Sequence, residues 1–143
     1  MFKFRLASIM RLREHREKQC REDVGKCLQS LREAEEKEAH LVQKEKDIIE
    51  DLKHRQKGRI ELPPLLLGKD YLKFTIGQIK EQREVVKART FDLDKARINL
   101  IEAIKEKKVL EKLKEKQEQD YLYEENKTEQ ALFDEMANKE GLR

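Results

Sequence analysis

The sequence predicts an all-α protein in which two long helices form an antiparallel coiled-coil hairpin. Three observations predict this fold. Apolar residues recur every three to four positions over most of the chain, 44% of the 143 residues are charged, and both prolines stand together near the middle. A 3.5-residue repeat keeps one narrow apolar stripe against a partner helix over many turns. The same charge content without any period would instead indicate disorder.

The first helix is expected over about residues 4–57. Steps of three and four residues from Leu6 to Leu52 visit fourteen positions, of which ten are apolar, where a composition of 37% would give about five. The residues expected to face the second helix include Leu6, Met10, Cys20, Val24, Cys27, Leu31, Leu41, Ile48 and Leu52. The two cysteines lie about 10 Å apart along such a helix, too far for a disulfide. We therefore expect them to act as small buried residues of a cytoplasmic protein.

A turn is expected over about residues 58–69, because Pro63 and Pro64 lack backbone donors and disfavour helix in the residues before them. The second helix is expected over about 70–138, with Asp70 as its N-cap. A turn centred near Pro64 would place Leu31 opposite Arg97.

The second helix carries its own apolar stripe, and its phase is expected to slip at about 105–109. The residues expected in the coiled-coil core are Leu72, Ile76, Ile79, Val86, Leu93, Leu100 and Ile104. This helix is longer than the first, so it should overhang the N-terminus of the chain. The overhang would carry Leu132, Phe133 and Met136 without a partner inside the chain.

Three places are therefore candidate partner surfaces. The overhang could enter a groove on another protein as an amphipathic helix, although a frayed tail would have the same sequence. Tyr71 and Phe74 could bind a partner or pack on the leucines of the turn. The basic residues Arg11, Arg13, Arg16, Lys18 and Arg21 could attract an acidic partner or form a solvated helix face.

The sequence argues against an enzyme, a cofactor, a metal site and a small-molecule substrate. His15, His40 and His54 lie on one helix and at least fourteen residues apart, and the cysteines show no zinc-type spacing. No phosphate-binding loop, nucleophile elbow or Ser/His/Asp pattern is present. The 33 basic and 30 acidic residues are interleaved, which is not typical of a nucleic-acid surface. No stretch reaches the ~20 apolar residues of a membrane span.

Four segments in the right order are similar to the FliJ family, the soluble coiled-coil component of the bacterial flagellar type III export apparatus. They are Phe4-Arg5-Leu6 with Leu12-Arg13-Glu14, Asp70-Tyr71-Leu72-Lys73-Phe74, Val109-Leu110-Glu111-Lys112-Leu113-Lys114-Glu115, and Glu129-Gln130-Ala131-Leu132-Phe133-Asp134-Glu135-Met136-Ala137. The sequence departs from the family pattern at Asp70, where asparagine is common, and in its Pro-Pro turn.

The resemblance implies a non-enzymatic coupling rod, similar to the central stalk of rotary ATPases. The end with the termini would enter the hexameric export ATPase through Arg11, Arg13, Arg16, Leu132, Phe133 and Met136. The turn end would contact the cytoplasmic domain of the export-gate membrane protein through Tyr71 and Phe74, which would hold the protein at the membrane. Export chaperones are further implied partners. A self-associating structural coiled coil, or a stalk subunit of a related injectisome or rotary ATPase, stays open as an alternative.

Overall fold

The fold is all-α, as the sequence predicts. The computed structural model describes residues 2–141, in which helix α1 (Ala7–Arg55) and helix α2 (Leu62–Gly141) pack against each other as an antiparallel hairpin. The helices have 49 and 80 residues, so the second is the longer one. Both contribute to two compact units, a central unit (Cys20–Asn99) and a terminal unit (Met1–Gln19 with Leu100–Arg143). The expectation of one domain over 1–143 stays a prediction.

The turn is shorter than predicted and lies earlier in the chain. Helix α1 ends at Arg55, and Gly58 adopts a positive φ of 73°, the one such glycine among the described residues. Helix α2 then begins at Leu62 rather than near Asp70, which lies inside the helix. Leu65 donates the first helical hydrogen bond to the Glu61 carbonyl at 3.4 Å. Pro63 and Pro64 therefore fill first-turn positions, whose N–H groups would have no helical acceptor.

The early turn also shifts the pairing of the helices in the central unit. Arg83 donates to the Glu38 carboxylate at 3.3 Å, and the Gln82 amide donates to the Ala34 carbonyl at 2.9 Å. Paired residue numbers there add to about 115–121, whereas a turn centred at Pro64 would require about 128. Arg97 is consequently not the partner of Leu31.

Helix α1 uses the stripe that its sequence indicates. All fourteen stepped positions from Leu6 to Leu52 are buried or half-buried. Among them, Leu31, Leu41 and Leu52 are buried, and the half-buried members include Leu6, Met10, Cys20, Val24, Cys27 and Ile48.

Helix α2 buries or half-buries six of the seven core residues predicted for it. Ile79 and Leu93 are buried, and Leu72, Val86, Leu100 and Ile104 are half-buried. Between them, the predicted core residue Ile76 is exposed, and its neighbour Thr75 is fully buried instead. Gln82, Ala96 and Ala103 are also buried, at positions that the prediction did not include. The prediction therefore missed the polar and small residues of this core.

Polar and small residues are suited to these positions. The Thr75 hydroxyl donates to the Tyr71 carbonyl at 2.9 Å within its own helix, so its burial leaves no unpaired donor. Gln82 donates across to Ala34. Ala96 and Ala103 are buried at two of these positions, and their small side chains leave room for the facing helix to approach.

The terminal unit continues the same spacing across the expected phase slip. Residues 100, 103, 107 and 110 of α2 are buried or half-buried in steps of three and four. Lys107 occupies one core position and binds the buried Glu17 carboxylate at 2.8 Å. The apparent slip in the sequence is thus a charged pair inside the seam, not a change in helix packing.

Candidate partner-binding surfaces

The far end of α2 forms an extension without partners in the terminal unit. The rings of Phe2 and Tyr121 lie 5.7 Å apart, and every described residue after Tyr121 is exposed. These residues, 122–141, remain helical and are called the extension below. They contain six acidic and two basic residues, so the extension is acidic in a chain of net charge +3.

The extension exposes five large apolar or aromatic side chains, Leu122 and Tyr123 at its start and Leu132, Phe133 and Met136 further along. Leu132, Phe133 and Met136 are 53%, 67% and 63% exposed. Met136 lies four residues after Leu132 and three after Phe133, and both spacings make side chains neighbours on a helix surface, so Leu132, Phe133 and Met136 form one apolar patch. Glu129 and Glu140 flank this patch along the same side of the helix. Such a surface can bind an apolar groove with a basic rim.

Tyr71 and Phe74 lie on the side of α2 near the turn, in the central unit. Phe74 is 62% exposed, so most of its ring is accessible to a partner. The Lys44 ammonium lies 4.8 Å from the centre of the Tyr71 ring and holds that ring against α1. Leu67, one of the leucines of the turn, is exposed on the same side at helical spacing. The three side chains are called the lateral patch.

The basic residues near the start of α1 have different surroundings. Arg13 and Arg16 both donate to the Glu106 carboxylate, at 2.8 and 3.0 Å, within the terminal unit. Arg11 is exposed. Much of the basic charge that the sequence offers to a partner is thus used to bind α2.

The Glu17–Lys107 pair also joins α1 to α2 in the terminal unit, next to the contacts of Glu106 with Arg13 and Arg16. The hydrogen bond to Glu17 raises the pKa of Lys107, and the Glu111 carboxylate 3.7 Å away adds to the effect. Burial of the lysine acts in the opposite direction. The ammonium therefore stays charged at neutral pH and pairs with a carboxylate in the seam.

Neither a metal centre nor a membrane span is seen in the described part of the chain. Within residues 2–141, no three His, Cys, Asp or Glu side chains converge as metal ligands would. No helix in that range combines the length and apolar character needed to cross a bilayer.

Comparison with known proteins identifies related chains. A family model described as "Flagellar FliJ protein" matches residues 2–143. Among solved structures, the chain is similar to one described as a YscO homolog, CT670, from Chlamydia trachomatis. That match has a TM-score of 0.57 at 22% sequence identity and covers 96% of this chain and 94% of the other. At this identity the likeness shows a shared fold. No curated protein matches the sequence.

Proposed function

The chain belongs to the flagellar FliJ family, and from this premise we propose that its extension inserts into the hexameric flagellar export ATPase and stimulates it. Family membership makes the chain a component of the flagellar type III export apparatus. The observation that carries the finer proposal is the extension itself. It is a continuous helix, exposed at every described position, and Leu132, Phe133 and Met136 form an exposed apolar patch on it.

The extension has no partner among the described residues of the terminal unit to stabilise it. An isolated helix of this length is marginal in water, and an exposed apolar patch lowers solubility without stabilising the fold. A sleeve or groove on a partner would bury the patch, and basic side chains at its rim would pair with the flanking acids. Arg11, Arg13 and Arg16 would contribute from the paired part of the terminal unit, the latter two through the guanidinium surface that their contacts with Glu106 leave exposed.

The turn end would provide the second contact. We assign the cytoplasmic domain of the export-gate membrane protein to the lateral patch, with Tyr71 and Phe74 as its centre. The Lys44 contact pre-orders the Tyr71 ring, so less side-chain freedom is lost on binding. The protein would then couple the ATPase to the gate without catalysing a reaction itself.

A matched pair of substitutions tests the ATPase contact. Phe133→Asp in the extension should abolish stimulation of the cognate export ATPase, and Leu132→Asp should do the same. Phe91→Asp is the control, because Phe91 is 69% exposed on α2, close to the 67% of Phe133, but lies in the central unit. Circular dichroism should show equal helix content in all variants. Full stimulation by both extension variants would refute the assignment.

Gate binding is measured separately, with the purified cytoplasmic domain of the gate protein. Tyr71→Ala combined with Phe74→Ala should weaken that binding at least about tenfold, since buried aromatic anchors commonly contribute more than 1 kcal/mol each. The extension variants should bind the gate normally. Unchanged affinity of the double variant would remove the lateral patch from the gate interface.

A further inference from the structure

The turn and the helix ends beside it are strongly basic. Residues 53–73 contain six Lys or Arg side chains and two acids, so this segment is more positive than the whole chain, whose net charge is +3. Arg55 pairs with Asp51 at 3.0 Å. Among the described residues, no carboxylate forms an ion pair with the other five, which are Lys53, Lys57, Arg59, Lys69 and Lys73.

The same turn exposes four large aliphatic side chains. Ile60, Leu62, Leu66 and Leu67 are 54%, 60%, 51% and 72% exposed, whereas Leu65 between them is buried. Of the four leucines in residues 62–67, only Leu65 packs in the core. The exposed four make little contribution to folding, and together with the surrounding bases they form a surface that is both apolar and cationic. We call these four aliphatic side chains, together with Lys53, Lys57, Arg59, Lys69 and Lys73, the basic turn.

We propose that the basic turn binds directly to the surface of an anionic lipid bilayer. Its aliphatic side chains would enter the headgroup region while its lysines and arginines pair with phosphates. Clusters of four to eight bases beside apolar side chains are the pattern that such surfaces attract. This contact goes beyond the proposed function, in which the protein reaches the membrane only through its partners.

The arrangement of the side chains favours a bilayer over a protein groove. A groove receives one face of a helix. Successive residues of a helix point about 100° apart, so Leu66 and Leu67 leave α2 in different directions, and Ile60 precedes the helix altogether. A fluid headgroup layer accepts apolar side chains from several sides of a convex turn. The acidic extension has apolar side chains too, but an anionic surface would repel it.

Sedimentation of the full-length protein with lipid vesicles tests the proposal. The protein should bind vesicles that contain phosphatidylglycerol and remain unbound with phosphatidylcholine alone. Lys57→Glu with Arg59→Glu should weaken binding at least about tenfold, since each base near an anionic surface contributes about fivefold. Ile60→Ser with Leu66→Ser should also weaken it. Arg32→Glu with Lys37→Glu, an equal charge change on exposed positions of α1, should leave binding near the wild-type value.

Each contrary result has a definite meaning. Absence of binding to phosphatidylglycerol vesicles, or equal losses in the turn and control variants, would overturn the proposal. It would also be overturned if the turn variants bound vesicles normally but lost the purified gate domain, because the basic turn would then be a protein-binding surface. Tyr71→Ala with Phe74→Ala should keep vesicle binding, so failure of the gate assignment is separable from failure of this one.

Discussion

One helix, α2, uses its apolar residues in two different ways. Up to Tyr121 it places mainly small or apolar residues toward α1, with Gln82 and Lys107 among them, and keeps most of the others exposed. Beyond Tyr121 it has apolar residues of the same kinds, including a leucine, a phenylalanine and a methionine, with none buried. The paired part owes its helical structure to packing, whereas the extension has only local helix propensity. The comparison separates residues that hold the fold from residues that remain available to partners.

The two parts should differ most in what a truncated side chain costs. Leu93→Ala should lower the free energy of unfolding by about 2–5 kcal/mol, because Leu93 is 3% exposed and its loss leaves a cavity. Phe133→Ala removes a larger side chain but should change stability by no more than about 0.5 kcal/mol. Urea denaturation followed by circular dichroism measures both. A large loss in Phe133→Ala would mean that the extension packs on the protein.

A pair of glycines in α2 tests how closely the helices approach near the turn. A Cβ at Gly68 would lie 2.6 Å from Leu52 Cδ2, whereas one at Gly77 would have no atom within 4 Å. Gly77→Ala should stabilise the protein by about 0.5–1 kcal/mol through helix propensity. Gly68→Ala has the same gain but must displace a buried leucine, so we expect a net loss of about 1 kcal/mol. Thermal unfolding that ranks both variants above wild type would contradict the close approach.

Substitution of the Glu17–Lys107 pair in the terminal unit should change stability least. The pH dependence of this change should be confined to alkaline pH. The pKa of Lys107 is higher in the folded chain than in the unfolded one, so its contribution is complete below the unfolded value of about 10.4. That contribution is lost as the pH rises through the folded pKa. The stability difference between wild type and Lys107→Met should therefore be constant from pH 7 to about pH 9.5 and change only above it.

A difference that varied between pH 7 and 9 would contradict this sign. Glu17→Gln keeps the shape of the carboxyl partner and removes its charge, so it serves as the control. The stability of Glu17→Gln should not show the change above about pH 9.5 that the Glu17–Lys107 pair causes in the wild type.

Much of the fold can be predicted from the sequence, because the buried apolar stripe of α1 can be recognised from the sequence of that helix alone. In α1 the apolar residues outnumber the polar ones along a single line, and that line is the buried one. In α2, adjacent residues compete for the same position, as Thr75 does with Ile76. Thr75 rather than Ile76 is buried because of where α1 lies against α2 and because the Thr75 hydroxyl can donate to the Tyr71 carbonyl. A hydrophobicity pattern reveals neither the position of α1 nor this hydrogen bond.

The turn shows a second limit of sequence reasoning. Two adjacent prolines normally indicate a break, and here they do mark the neighbourhood of the turn. Their missing N–H groups, however, cost nothing in the first turn of a helix, so α2 starts before them. The centre of the turn therefore lies about one to two helical turns earlier in the chain than predicted. This displacement changes every predicted contact between the helices.

The candidate surfaces were predictable to different degrees. The patch of Leu132, Phe133 and Met136 lies where unequal helix lengths suggest an unpartnered segment. The sequence could not reveal that Glu106 binds Arg13 and Arg16, because that contact joins residues about ninety positions apart. The exposure of the turn leucines could not be predicted, because Pro63 and Pro64 suggested an irregular loop, in which exposure of individual leucines has no pattern.

Hydrogen exchange of the full-length protein, with and without the hexameric export ATPase, tests the central claim most directly. In the free protein, the amides of the extension should exchange rapidly and those around Leu93 slowly, since local stability follows packing. At saturating ATPase, the extension should become strongly protected while the region of Leu93 and the basic turn keep their rates. Unchanged exchange in the extension of the bound protein, or new protection confined to the turn, would contradict the account.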